Sequence, residues 1–216
     1  MKKAIIIISI IIVLVVAFII AVNATKDELA KMLPEAAKPV IYLYPEEKTD
    51  VDVALKLDGE LTVTYPEYSG GWAVTAMPDG TIYDRATGRE YSYLFWEGNT
   101  DFETDFSEGF CVPGDKTAEF LQASLASLGL TPKEYNDMIV YWLPRMKDNP
   151  YNIISFQGDN YTEAARLKVT PEPDSVLRVF MAWKASDTMV EILPQELVPF
   201  ERTGFALVEW GGGEVK

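Results

Sequence analysis

Histidine is absent from this 216-residue chain, and cysteine occurs once, at Cys111. Without histidine the chain lacks the side chain that titrates near neutral pH and the commonest metal ligand, which excludes Ser-His-Asp, Cys-His and His-zinc sites. A lone cysteine closes no intramolecular disulfide, even in an oxidising compartment, and Cys111 reads as a small buried hydrophobe. A glycine-rich phosphate loop, a CxxC pair and a nucleophile elbow are also missing. Gly70-Gly71 and the glycines near the C-terminus lack the strand-to-helix context that such motifs need. No segment repeats at a fixed period. Positive charge is scarce, with 19 Lys+Arg against 33 Asp+Glu.

Charge of either sign is absent from the stretch that begins at Ala4 and ends at Val22, directly behind Lys2 and Lys3. As an α-helix it would be about 28 Å long, close to the hydrocarbon thickness of a bilayer. Its nine Ile, four Val, Leu14 and Phe18 favour insertion by about 5 to 9 kcal/mol. The leading lysines, with no basic cluster just behind the apolar run, place the N-terminus in the cytoplasm and the remainder outside. Residues 1–22 are therefore expected to be a signal-anchor in the cell membrane. The run exceeds the about 7 to 15 apolar residues of a cleaved signal peptide; secretion after cleavage near Ala24 is the alternative. Residues 23–37 read as a polar stalk and 38–216 as one extracytoplasmic domain able to bury a core. Without Lys2 and Lys3 the balance is 17 against 33, a net −16. Such a field repels nucleic acid and suits cations, basic peptides or neutral glycans.

Within the domain, Lys38-Pro39-Val40-Ile41-Tyr42-Leu43-Tyr44-Pro45 is an apolar first strand closed by prolines. Residues 51–57 and 60–65 alternate around Asp58-Gly59, predicting a β-hairpin whose loop Leu57-Asp58-Gly59 pairs Leu55 with Leu61, Val53 with Val63 and Val51 with Tyr65. Residues 72–77 and 81–83 flank the turn Pro78-Asp79-Gly80, and 90–96 read as a central strand with both faces apolar. Asp115 is placed to cap a helix with the stripe Ala118, Leu121, Leu125 and Leu128, ended by Gly129. Thr131-Pro132-Lys133-Glu134 is a capping box that opens a second helix, which Pro144 ends or kinks. Four further strands are expected at 152–156, 164–169, 176–183 and 205–210, with Gly211-Gly212-Gly213 as a loose tail. The fold class is α+β: a mostly antiparallel β-sheet domain with an inserted αα-hairpin, preceded by one N-terminal transmembrane helix.

The octet at 38–45, Tyr91-Ser92-Tyr93-Leu94-Phe95-Trp96-Glu97-Gly98, Tyr141-Trp142-Leu143-Pro144, and Pro173-Asp174-Ser175 followed by Arg178-Val179-Phe180-Met181 together resemble a family of uncharacterised, membrane-anchored bacterial proteins, largely from Gram-positive anaerobes. The resemblance covers nearly all of the chain after the stalk. It implies no activity and assigns no catalytic residue.

Residues 97–108 form the densest carboxylate run, with oxygens at alternate positions Asn99, Asp101, Glu103 and Asp105. These four are the candidate calcium ligands. An EF-hand starting at Asn99 would need Gly at its sixth position and Glu at its twelfth, where Thr104 and Phe110 stand. The competing reading is a solvated loop pinned by Phe102 and Phe106; no cofactor is otherwise predicted. Glu97 follows a strand of bulky aromatics, a setting that can raise a carboxyl pKa, and with Asp101 or Asp105 it would make the carboxylate pair of a glycan hydrolase. Among five tryptophans and eleven tyrosines, Trp72 follows a flexible loop and is the residue expected to be exposed for stacking on a sugar. The function expected is a membrane-anchored domain that binds an envelope glycan, a cation or a protein partner. The hydrolase on Glu97 and the acidic loop is the alternative.

Overall fold

The computed structural model describes residues 35–100 and 102–215, together with Val15, Val16 and Phe18. The expected membrane helix and most of the stalk therefore lie outside the described residues. Val15, Val16 and Phe18 are helical and exposed, and among the described residues no helix is long and apolar enough to cross a membrane. The chain divides into two compact units, Met1–Leu33 and Pro34–Lys216, and all that follows concerns the second.

Its first seven strands are β1 (Glu35–Tyr44), β2 (Thr49–Leu57), β3 (Gly59–Tyr65), β4 (Trp72–Ala76), β5 (Ile82–Asp84), β6 (Glu90–Tyr91) and β7 (Leu94–Thr100). After β8 (Glu108–Pro113) come the helices α1 (Thr117–Ser127) and α2 (Pro132–Met146), then β9 (Tyr151–Gln157) and the short helix α3 (Asp159–Ala164). The chain finishes with β10 (Ala165–Thr170), β11 (Ser175–Ser186), β12 (Leu193–Pro194) and β13 (Ala206–Glu214). One sheet has the order β12-β8-β9-β11-β13-β1-β7-β3 and the other β10-β2-β4-β5-β6. Among the described residues only the β11/β13 and β12/β8 pairings are parallel, so the α+β domain is mixed but mainly antiparallel, and neither sheet closes into a barrel.

The alternation of side chains along each strand sorts the core into two layers. Ile41 and Leu43 of β1 face the smaller sheet, in a cluster with Val51, Val53, Val74, Phe180 and Leu207. Val40 and Tyr42 face the other way, against Leu121, Leu125, Met138, Trp142 and Trp210. Each fully buried Leu, Ile or Val contributes about 1.5 to 3 kcal/mol. A strand covered on both sides needs an unbroken apolar run, which is what residues 40–43 supply.

Five expectations change in the structure. β1 begins at Glu35, inside the expected stalk. β2 and β3 both form but do not pair: β2 lies between β10 and β4 in the smaller sheet, while β3 pairs with β7 at the edge of the larger one. Asp58-Gly59 is thus a corner between sheets. Gly59 has φ +147°, and a Cβ there would stand 2.0 Å from the Asn99 carbonyl oxygen, so the close passage of β7 demands glycine. In the smaller sheet Val51, Val53 and Leu55 are buried in the cluster between the sheets, whereas Val63 and Tyr65 of β3 are 48% and 61% exposed. Residues 90–96 split, β6 joining the smaller sheet and β7 the larger. Gly211 to Gly213 are no loose tail but the buried centre of β13: a Cβ on Gly211 would meet Pro39 at 2.9 Å, and one on Gly212 would meet the Trp142 ring at 2.8 Å.

The helices show the fifth change. Asp115 sits in a 3-10 turn, Gly114–Lys116, and α1 starts without a side-chain cap. In α2 the capping box is present, with Glu134 accepting the Thr131 N–H at 2.7 Å, and the helix runs through Pro144 to Met146. Cys111 is half buried, its Sγ accepting the Val190 N–H at 3.3 Å.

Candidate functional site

A cavity of about 950 Å³ opens where the acidic loop after β7 meets the end of β9 and α3. Six carboxylates line it: Asp58, Glu103, Asp105, Glu108, Asp159 and Glu163. The cation among its walls, Arg166, is already engaged, with Nη2 donating to Asp58 at 2.7 Å and Nη1 to the Glu163 carbonyl. Five carboxylates are thereby left without a balancing charge from the cavity wall.

The loop holds this form because its backbone and Phe102 are committed inward. Phe102 is buried with its ring edge-on to Tyr161 and Phe180, at 5.9 and 5.4 Å between centroids. Gln157, the last residue of β9 and 6% exposed, pairs its amide with the backbone of Asp105 as a strand would, accepting its N–H at 2.8 Å and donating to its carbonyl at 2.9 Å. Asn160 donates to the Glu103 carbonyl at 2.8 Å and to Gln157 at 3.0 Å. Gln195 treats Phe156 the same way, accepting its N–H at 2.9 Å and donating to its carbonyl at 2.6 Å. With main chain and aromatic anchor used, the carboxylates of the loop are directed to solvent. Asp105 accepts the Ser107 N–H at 2.7 Å, and that bond holds its carboxyl below the usual range. Ionised at neutral pH, Asp105 can attract or accept but does not serve as a proton donor.

Of the residues singled out in the sequence, Glu103 and Asp105 line the cleft and Asp101 lies outside the described residues. Glu97 and Asn99 belong to β7, opposite Val63 and Glu60 of β3, and neither lines the cleft. Among the described residues no group of three or more His, Cys, Asp or Glu side chains converges to hold a metal. Trp72 is buried at 3% exposure, its indole N–H donated to the Pro66 carbonyl at 2.9 Å and its ring met edge-on by Tyr68. The alternation of β4 turns Trp72, Val74 and Ala76 inward together, so the stacking face expected of Trp72 is not available to a sugar.

Sequence reasoning missed Asp58, Asp159 and Glu163, which arrive from other segments, and the amides that shape the cleft. It also missed a buried charge cluster between the sheets. Glu209, fully buried on β13, accepts from Trp96 Nε1 at 3.1 Å, Tyr161 Oη at 2.9 Å and Arg178 Nε at 2.6 Å. Burial works against the Arg178 charge, but Glu209 outweighs it and the guanidinium pKa is raised; burial likewise pushes Tyr161 up, keeping its hydroxyl a neutral donor. The available signal was a single acid within the apolar run 205–210 and a single cation within 176–181.

A 65-residue stretch amounting to 29% of the chain is 48% identical to the "Uncharacterized protein in bglA 3'region" of Butyrivibrio fibrisolvens, and it spans just under two thirds (66%) of that protein. No family model matches the chain, and no solved structure matches it. The likeness to a protein of a Gram-positive anaerobe fits an uncharacterised family.

Proposed function

We propose that residues 34–216 are an extracytoplasmic binding domain, tethered by a membrane helix at residues 4–22, whose acidic cleft takes a cationic ligand, foremost a basic segment of a protein partner at the cell envelope. The observation that carries this reading is the cleft itself, about 950 Å³ with six carboxylates and one guanidinium that is already paired. Exposed like charges held on a fixed loop raise the local concentration of cations and speed their encounter. Amino-bearing envelope glycans share the chemistry and are an alternative ligand of the same cleft; a metal cation has less support, because no three acidic side chains converge on one point among the described residues. A carboxylate-pair hydrolase has less support, because Glu97, its expected proton donor, lies on β7 and does not line the cleft.

The reading is tested by calorimetric titration of the full chain at low salt with a lysine-rich peptide and, separately, with calcium. The triple variant Glu103→Gln, Glu108→Gln, Asp159→Asn is expected to weaken peptide binding by about tenfold or more, and added salt to weaken it further. Equal affinity of the variant, or no binding by the natural chain, contradicts it. The tether predicts that the full chain sediments with membranes and leaves them only in detergent, while a chain without residues 1–22 does not.

A further inference from the structure

We propose that a second cavity, walled by β10, α3 and β11, is an oxyanion site that holds a carboxylate or phosphate group of a ligand against Arg178. This inference is independent of the acidic cleft. The cavity is about 660 Å³ and is lined by Arg166, Lys168 and Arg178 against one carboxylate, Glu172. In a chain of net charge −14, three cations line one space with a single acid; Arg166 and Arg178 are paired with Asp58 and Glu209, and Lys168 is the one left over.

Arg178 is what makes this more than a surface patch. Its side chain is 8% exposed and fixed through Nε to Glu209, yet its Nη2 is buried with no hydrogen-bond partner. An unmade bond on a buried charged donor is costly, and such groups are normally satisfied by protein, water or a bound ion. Glu209 already accepts from Trp96, Tyr161 and Arg178 itself, and the guanidinium lies over the Tyr161 ring at 4.9 Å, so it is held in place with Nη2 making no hydrogen bond. Arg166 is drawn toward Asp58, whereas Lys168 is exposed and makes no ion pair among the described residues. Thr162 and Thr170 add hydroxyls to the wall. A fixed guanidinium, an ammonium and hydroxyls are the donor set that carboxylates and phosphates share.

The test titrates the full chain with sodium glucuronate and with sodium phosphate at constant ionic strength. Saturable binding of at least one is expected, in about the millimolar range for so small a probe. Glucuronate alone assigns an acidic sugar as source, and phosphate alone a phosphate ester. Lys168→Glu, an exposed change whose fold is checked by circular dichroism, is expected to weaken binding about tenfold or more. Arg178→Lys keeps the charge facing Glu209 but removes the Nη2 donors, and is expected to abolish binding. If that variant does not fold, Lys168→Glu still decides. Absence of binding by either anion, or binding unchanged in Lys168→Glu, overturns the proposal and leaves water as the partner of Nη2.

Discussion

The acidic cleft and the Arg178 cavity share a wall residue, Arg166, and differ in how their charge is held. In the cleft the charges are exposed carboxylates on a loop whose backbone is clamped by Gln157 and Asn160. In the cavity the key charge is a guanidinium buried between two sheets and oriented by Glu209. The first arrangement selects by sign, and salt screens it; the second selects by hydrogen-bond geometry behind a low-dielectric wall, where salt reaches less. A net charge of −14 averages over both and describes neither.

The largest expected effect breaks the buried side of this comparison. Glu209→Ala leaves Arg178 buried without its counter-charge and removes the acceptor of Trp96 and Tyr161. A loss of about 3 to 5 kcal/mol is expected in denaturant unfolding, and a loss below about 1 kcal/mol would mean that Arg178 finds water when unpaired. On the exposed side, Gln157→Leu frees the Asp105 backbone and should cost about 1 to 3 kcal/mol. It should also weaken lysine-peptide binding while leaving glucuronate or phosphate binding as it was. Equal damage to both would show that the two cavities are not independent.

Protonation gives the smallest effect. Asp79, Asp84 and Asp105 are lowered by hydrogen bonds from neighbouring main chain and hydroxyls. For Glu134, burial alone would raise the pKa, but bonds from Arg202 and the Thr131 N–H outweigh it and the net shift is downward. Because these folded pKa values lie below the unfolded ones near 4, their stabilisation is complete above about pH 4 and is lost as pH falls through the folded values. Unfolding followed from pH 7 to pH 2 should show a decline only at the acidic end. Added salt should reduce the contribution of the exposed Asp79 and Asp105 and spare that of Glu134. A decline centred near pH 6 would contradict this assignment.

Much of the local pattern was readable in advance. Alternation in 51–57 gave a strand with the right face, 72–77 a strand whose inward Trp72 was expected outside, Thr131 to Glu134 a helix start, and the acidic run with Phe102 marked part of the cleft. Alternation specifies which side of a strand is buried but not which strand lies beside it, so β10, more than a hundred residues on, could take the edge of β2 that adjacency offered to β3. Asp58-Gly59 signals a positive φ, and a corner between sheets needs the same chemistry as a hairpin turn. Glycines at 211–213 look flexible in sequence because glycine is permissive; here Gly211 and Gly212 are required by the nearness of Pro39 and Trp142. The carboxylates of the cleft come from three separate segments, and the Arg178 cavity forms where β10 of the smaller sheet hands over to β11 of the larger, a change of sheet that alternation does not signal.

The account rests on two concavities, one lined mainly by carboxylates and one mainly by cations, that act separately, and one crossed titration tests it most directly. The natural chain, the cleft variant Glu103→Gln, Glu108→Gln, Asp159→Asn, and the cavity variant Lys168→Glu are each titrated with the lysine-rich peptide and with the small anion that the natural chain binds. The cleft variant should lose affinity for the peptide and keep the anion, and Lys168→Glu should lose the anion and keep the peptide. Loss of both ligands in one variant, or of neither in both, contradicts the account.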